Sequence, residues 1–128
     1  MFDQPIDVLK TWLGFANAGD VDGLMSLYNA QAILIPTFAN RLLHTPEKIR
    51  GYFEKLAGRA ELSIALHQKP LVVQPLRERM HSLCGIYCWR FAVDEELLSF
   101  EARFSLLLDL DQESPIINHH SSQIPRTL

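Results

Sequence analysis

Residues 17–53, NAGDVDGLMSLYNAQAILIPTFANRLLHTPEKIRGYF, carry helix and strand signals in close succession and decide the fold. Gly19 is a typical residue at a helix C-terminus, and Asp20 is a typical N-cap for the short helix predicted to follow. The apolar run 32–35 then ends at Pro36, which indicates a buried strand closed by a turn. The stretch therefore predicts two helices leading into a strand.

Amphipathic helices are predicted on both sides of this strand. In residues 7–20 the apolar side chains recur at helical spacing and form one face. Thr45 and Pro46 favour the start of a third helix, because threonine caps well and proline suits the first helical position. This helix should end at Gly58. Its predicted apolar face contains Ile49, Tyr52, Phe53 and Leu56.

Beyond Gly58 the apolar pattern becomes typical of strands. Short polar segments at 94–96 and 111–114 predict hairpin loops. The predicted strands are 62–67, 70–77, 80–93, 97–110 and 115–122. Helices gathered early and strands gathered late indicate an α+β fold, with about three N-terminal helices packed on a curved, mostly antiparallel sheet. We expect residues 1–128 to form one domain.

Composition excludes several classes of function. Apolar residues make up 48% of the chain and charged residues 21%, which is typical of a globular protein. The net charge is −3, so phosphate neutralisation does not favour a nucleic-acid partner. No apolar stretch approaches the ~20 residues that span a membrane, and the beginning, MFDQPIDVLK, lacks the pattern of a signal peptide. We expect no membrane partner and a cytoplasmic location.

The C-terminal stretch SPIINHHSSQIP concentrates polar groups in a predicted strand. Regular alternation places Asn118, His120 and Ser122 on one face, and His119 and Ser121 on the other. We predict that His120 and Ser122 face a cavity, while His119 and Ser121 face outward or line a dimer contact. A strand end that simply carries polar residues is the alternative. The two adjacent histidines should not share a metal, because their side chains point in opposite directions.

Three other polar residues occupy positions that suggest chemistry. Thr37 follows the first strand at the rim of the sheet. Tyr52 lies on the apolar face of the third helix, so its hydroxyl needs a buried partner; a core tyrosine bonded to a backbone carbonyl is the alternative. Arg103 either lies on a solvated face or anchors an anion in a pocket.

The blocks NAGDVDGLMSLYNAQAILIPTFANRLLHTPEKIRGYF, GIYCWRF, EARFSLLLDL and NHHSSQIP together resemble the nuclear transport factor 2-like superfamily. Within it, the chain is most similar to the association domain of calcium/calmodulin-dependent protein kinase II and to bacterial iota-class carbonic anhydrases. The resemblance implies a cone-shaped fold that encloses a pocket, and site residues at Thr37, Tyr52, His120 and Ser122. Members of the class are described with and without a metal; we expect no cofactor, with zinc or manganese left open.

The reaction implied by this resemblance is the hydration of carbon dioxide to bicarbonate. A water held between Tyr52, His120 and the hydroxyls of Thr37 and Ser122 would be the nucleophile, and His120 would carry the proton. The chain departs from the family pattern, which begins its terminal motif with a third histidine where this sequence has Asn118. It also has Ile124, Pro125 and Arg126 where methionine, proline and glutamate are usual.

A non-catalytic role is the main alternative, so the sequence leaves open whether the protein is an enzyme. A pocketed domain could dimerise through its sheet and hold a small anion or other small molecule, with Arg103, Asn118 and His120 as ligand-binding residues. The same fold also occurs in isomerases and cyclases. That third interpretation ranks last, because no acidic residue falls on a predicted pocket-facing position.

Overall fold

Three helices pack on a five-stranded sheet in the computed structural model, which describes residues 1–125. The helices are α1 (Pro5–Ala18), α2 (Val21–Leu27) and α3 (Pro46–Ala57). The strands are β1 (Tyr28–Ile35), β2 (Ser63–Pro75), β3 (Met80–Val93), β4 (Glu96–Asp109) and β5 (Ile116–Gln123). The predicted α+β class and the order of elements are confirmed. Arg126, part of the altered terminal motif, lies outside the described residues.

The predicted helix ends are confirmed by their capping geometry. Gly19 ends α1 in the left-handed region with φ 65°, which glycine adopts without steric cost. The Asp20 side chain caps α2 by accepting a hydrogen bond from the backbone N–H of Gly23 at 2.8 Å. Thr45 caps α3 in the same way, through the N–H of Lys48.

The strand order is β1-β5-β4-β3-β2, with β1 and β5 parallel and all other neighbours antiparallel. β5 therefore lies inside the sheet, between β1 and β4. The two strands predicted at 62–67 and 70–77 are one strand, β2, which pairs with β3 on both sides of an irregularity between Leu66 and Leu71. The prediction of two strands was wrong because a local bulge interrupts the alternation without ending the pairing.

The core lies between the sheet and the helices. Trp12 of α1 is 1% exposed and stacks on Tyr87 of β3, with ring centroids 5.6 Å apart. Tyr87 in turn stacks on Phe104 of β4. This aromatic column joins the first helix to the middle of the sheet. Among the described residues, no helix is long and apolar enough to cross a membrane.

Candidate active site

The structure reverses the predicted faces of β5. His119 and Ser121 are each 2% exposed and point into the core, whereas His120 is exposed and Ser122 is half-buried on the opposite face. Asn118 is half-buried on that same outer face. The prediction that His120 and Ser122 face a cavity is therefore wrong.

An irregularity in β5 explains the reversal. Ile116 pairs with Leu108 of β4 and Asn118 pairs with Leu107, so β5 contains one extra residue between these two pairs. A bulge of this kind moves every later side chain to the opposite face. Ile116 does point inward, as its complete burial shows. Because of the extra residue, strict alternation counted from Ile116 assigns Asn118 and every later side chain of β5 to the wrong face.

Arg103 also lies away from the interior. It is exposed on β4 and pairs across the sheet with Ser122, on the outer face. The prediction that Arg103 anchors an anion inside the pocket is wrong in its placement. Its neighbours Ala102 and Phe104 are the residues of this strand that face the core.

A chain of hydrogen bonds surrounds His119 in the core. The indole N–H of Trp12 donates to the hydroxyl of Tyr28 at 3.0 Å. That hydroxyl lies 2.7 Å from Nδ1 of His119. On the other side of the imidazole, Nε2 lies 3.1 Å from the hydroxyl of Tyr87. All four side chains are at most 4% exposed.

We assign the direction of this chain from the obligate donor at one end, which also assigns the tautomer of His119. An indole nitrogen can only donate, so the Tyr28 oxygen accepts from Trp12 and its own hydrogen is free for Nδ1 of His119. Nε2 then carries the imidazole hydrogen and donates to Tyr87. The arrangement requires a neutral imidazole. Burial lowers the pKa of His119 to about 3, and the nearby His120 lowers it further by a smaller amount.

A second group of hydroxyls adjoins the first. Thr37, just after β1, is hydrogen-bonded through its hydroxyl to the hydroxyl of Ser121. The Tyr52 hydroxyl accepts the backbone N–H of Phe38 at 3.3 Å. Burial raises the pKa of Tyr52 to about 12 and also raises the pKa of Tyr87, although hydrogen bonds with Thr37 partly oppose both effects. Both phenols therefore stay protonated and able to donate at neutral pH.

Trp89 brings an unused donor to the same place. It is 2% exposed, and its indole N–H has no hydrogen-bond partner among residues 1–125. It lies beside the Tyr87 hydroxyl, where its neutral N–H dipole lowers the pKa of that phenol slightly, but without the geometry of a hydrogen bond. Phe38 covers this group, because its ring meets Trp89 edge-on at 6.0 Å. A buried donor without a partner is costly and is available to a bound ligand or water.

An open cleft of about 1210 Å³ reaches this polar cluster from outside. The loop after β1 forms one wall and α3 forms the other, and both Thr37 and Tyr52 contribute to the lining. Every ionisable side chain in the lining other than Tyr52 is basic. These four residues, here called the basic rim, are Arg41, Lys48, Lys55 and Arg59. The cluster thus meets solvent through a cleft of positive potential.

The residues of the cluster do not fit zinc or manganese. Zinc in proteins takes histidine, cysteine and carboxylate ligands, and manganese favours oxygen ligands with carboxylates among them. Both nitrogens of His119 are already engaged by tyrosines, and the other groups are neutral hydroxyls. In residues 1–125, no three His, Cys, Asp or Glu side chains are grouped so that they could hold a metal ion.

The buried histidine predicts a distinct pH dependence of stability. Between about pH 6.5 and about pH 3 the unfolded chain protonates at His119 whereas the folded chain does not, so the free energy of unfolding rises with pH. His119 adds a slope of about 1.4 kcal/mol per pH unit to the free energy of unfolding in this window. Above about pH 6.5 this slope vanishes, because His119 is then neutral in both states. Urea unfolding of wild type and His119→Gln at pH 4–8 should show this slope in the difference. His120→Gln should keep it; a wild-type slope in His119→Gln would contradict the assignment.

Several residues of the cluster were not predicted from the sequence. Tyr28, Trp12 and Tyr87 were missed as partners of His119, and the basic rim was missed as a whole. One signal was present: GIYCWRF places Tyr87 and Trp89 two residues apart in a strand, and therefore on the same face. The rim had no such signal, because its members come from a loop, a helix and the turn after it.

Comparison with known proteins supports the fold but not the reaction. No protein-family model matches the chain, and no curated protein is similar to it. A solved structure of a proposed calcium/calmodulin dependent protein kinase II association domain from Xanthomonas campestris has a TM-score of 0.84 and 22% identity, over 95% of this chain and 86% of that one. A proposed dehydratase of the NTF2-like family from Streptomyces avermitilis has a TM-score of 0.80 and 11% identity, over 96% and 95%. The chain shares the α+β fold of these two structures.

Proposed function

We propose that the chain is a metal-independent carbonic anhydrase whose reaction takes place where the cleft meets the buried polar cluster. One observation carries the proposal: the hydrogen-bonded hydroxyls of Thr37 and Ser121 lie beside the Tyr87 phenol that His119 holds, and Thr37 and Tyr52 line a basic cleft. The threonine, tyrosine, histidine and serine of the iota-class resemblance are then Thr37, Tyr52, His119 and Ser121. His119 and Ser121 take the places first expected of His120 and Ser122, although His119 does not carry the proton.

The reaction needs a nucleophilic water and donors for developing negative charge. The oxygen of water attacks the carbon of carbon dioxide and forms a C–O bond, while one C=O electron pair moves onto oxygen. Loss of one proton from the attacking water leaves bicarbonate. The hydroxyls of Thr37 and Ser121 can orient the water, and the Tyr52 hydroxyl and the Trp89 indole can donate to the oxygens.

The hydrogen bonds of His119 suit a residue that orients hydrogen-bond donors in the site, and not one that acts as a general base. Its direction leaves the hydrogen of the Tyr87 hydroxyl free to point towards Ser121 and Thr37. A histidine with a pKa of about 3 does not accept the proton at neutral pH. His119 is thus a positioning residue, and the proton leaves through water in the cleft to buffer. The basic rim favours both steps, because positive potential stabilises hydroxide and bicarbonate.

A non-catalytic anion-binding module is the second candidate, and the same basic cleft favours it. The absence of a general base among the described groups of the cluster also suits a binding role. A homodimer formed through the sheet, a single domain over residues 1–128 and a cytoplasmic location remain proposals that go with either function.

Stopped-flow measurement of carbon dioxide hydration on chelator-treated protein tests the enzyme proposal. We expect a rate above that of buffer alone, unchanged by added zinc or manganese, and rising with buffer concentration because buffer takes the proton. A rate no faster than buffer, with or without these metals, would leave only the binding module.

A further inference from the structure

We propose that the cleft binds an aromatic carboxylate, with the carboxylate at the basic rim and the ring against Phe38 and Phe91. This site does not depend on the proposed reaction, although an occupant would block access to Thr37 and Tyr52, which share the lining. Charge, size and apolar surface each support the inference.

The charge of the cleft is opposite to that of the whole chain. The chain carries a net charge of −3, yet this cleft is lined by four basic side chains and no acidic one. In residues 1–125, the ion pairs involve other basic groups, namely Arg50, His67 and Arg79. The side chains of the basic rim therefore form no ion pair within residues 1–125 and are available to bind an anionic ligand. Exposed basic groups that line one cleft repel one another, and an anion would relieve that repulsion.

The size of the cleft exceeds the needs of bicarbonate. Its volume of about 1210 Å³ is comparable to pockets that hold drug-sized molecules, which are typically about 300–1000 Å³. Bicarbonate has only four non-hydrogen atoms and would occupy a small part of this space. A ligand that fills the cleft must therefore have a much larger skeleton than bicarbonate.

The apolar residues of the lining indicate that this skeleton is aromatic. Phe38 and Phe91 lie edge-to-face with centroids 5.2 Å apart, and both border the cleft. The guanidinium of Arg59 lies over the Phe91 ring, 5.5 Å from its centroid. An aromatic ring can pack against this edge-to-face pair while its carboxylate binds Arg59 and Lys55. Phe91 is 5% exposed, so the half-buried Phe38 supplies most of the aromatic surface that a fully polar anion would leave unused.

Isothermal titration calorimetry with 2-naphthoate, its neutral amide 2-naphthamide and inorganic phosphate tests the inference. We expect 2-naphthoate to bind about tenfold more tightly than either of the other two, because only it combines charge with a ring. The double variant Lys55→Met/Arg59→Met should weaken 2-naphthoate binding about tenfold and leave 2-naphthamide unchanged. Lys10→Met, an exposed substitution on α1 outside the cleft, is the matched control.

Three results would overturn the inference. Equal affinity for 2-naphthoate and 2-naphthamide would mean that the carboxylate charge does not contribute to binding. Tighter binding of phosphate would mean that the site binds inorganic anions. Unchanged 2-naphthoate affinity in the double variant, with circular dichroism like wild type, would place the binding elsewhere. Calorimetry does not require hydration activity, so failure of the proposed reaction leaves this test intact.

Discussion

Replacement of His119 by leucine is expected to lower the free energy of unfolding by about 3 kcal/mol at pH 7.5. The imidazole is the shared partner of two buried hydroxyls, those of Tyr28 and Tyr87. Leucine cannot hydrogen-bond, so both hydroxyls lose this partner, at a cost of about 1–3 kcal/mol each. The gain from burying an apolar side chain offsets part of that loss. Urea unfolding followed by tryptophan fluorescence measures the difference.

The neighbouring residue provides the matched control for this substitution. His120→Leu makes the same chemical change one position away, on the exposed outer face, and should change stability by less than about 0.5 kcal/mol. In the His119→Leu background, the further change Tyr87→Phe should recover part of the loss, because it removes a hydroxyl that has lost its imidazole partner. Tyr28→Phe should not, because it leaves the buried indole N–H of Trp12 without its acceptor. Equal effects of the two leucine variants would contradict the inward orientation of His119.

Replacement of Ser121 by alanine is expected to reduce kcat/KM for carbon dioxide hydration about 100-fold. The Ser121 hydroxyl bonds Thr37 and lies beside Tyr87, so its loss removes one donor and frees the other two from their fixed positions. Loss of one donor of this kind typically costs about 10²–10³ in rate. Stopped-flow hydration at pH 7.5, with the fold checked by circular dichroism, gives the number.

Adjacent positions again separate the two faces of β5. Ser122→Ala should leave the hydration rate within about twofold of wild type, since Ser122 points outward beside Arg103. Thr37→Val should resemble Ser121→Ala because it removes the other member of the pair. A large loss in Ser122→Ala with little change in Ser121→Ala would contradict the proposed site and support the orientation first expected from the sequence.

Local signals were sufficient to predict the elements of this fold. Gly19, Asp20 and Thr45 mark helix ends through short-range backbone chemistry, and each is found capping as predicted. The hairpin at 94–96 was also predicted from polar residues, and Asp94 and Glu95 there adopt positive φ values of 51° and 68°. Such features depend on a few neighbouring residues, so a single sequence carries them.

The orientation of β5 depended on information that one strand does not contain. Alternation divides its side chains into two sets, but the extra residue between Ile116 and Asn118 exchanges the sets partway along. That bulge is fixed by pairing with β4, which is distant in sequence. Thr37 and Tyr52 were located correctly because Pro36 and the helical period of α3 place them without reference to distant strands.

The most direct test is a crystal structure of the protein soaked in bicarbonate. The account predicts a planar three-oxygen density within hydrogen-bond distance of Thr37, Ser121 and Tyr52, with Phe38 displaced enough to admit it. Density bound on the outer face at His120 and Ser122, or an unoccupied and fully packed cluster at saturating bicarbonate, would contradict it.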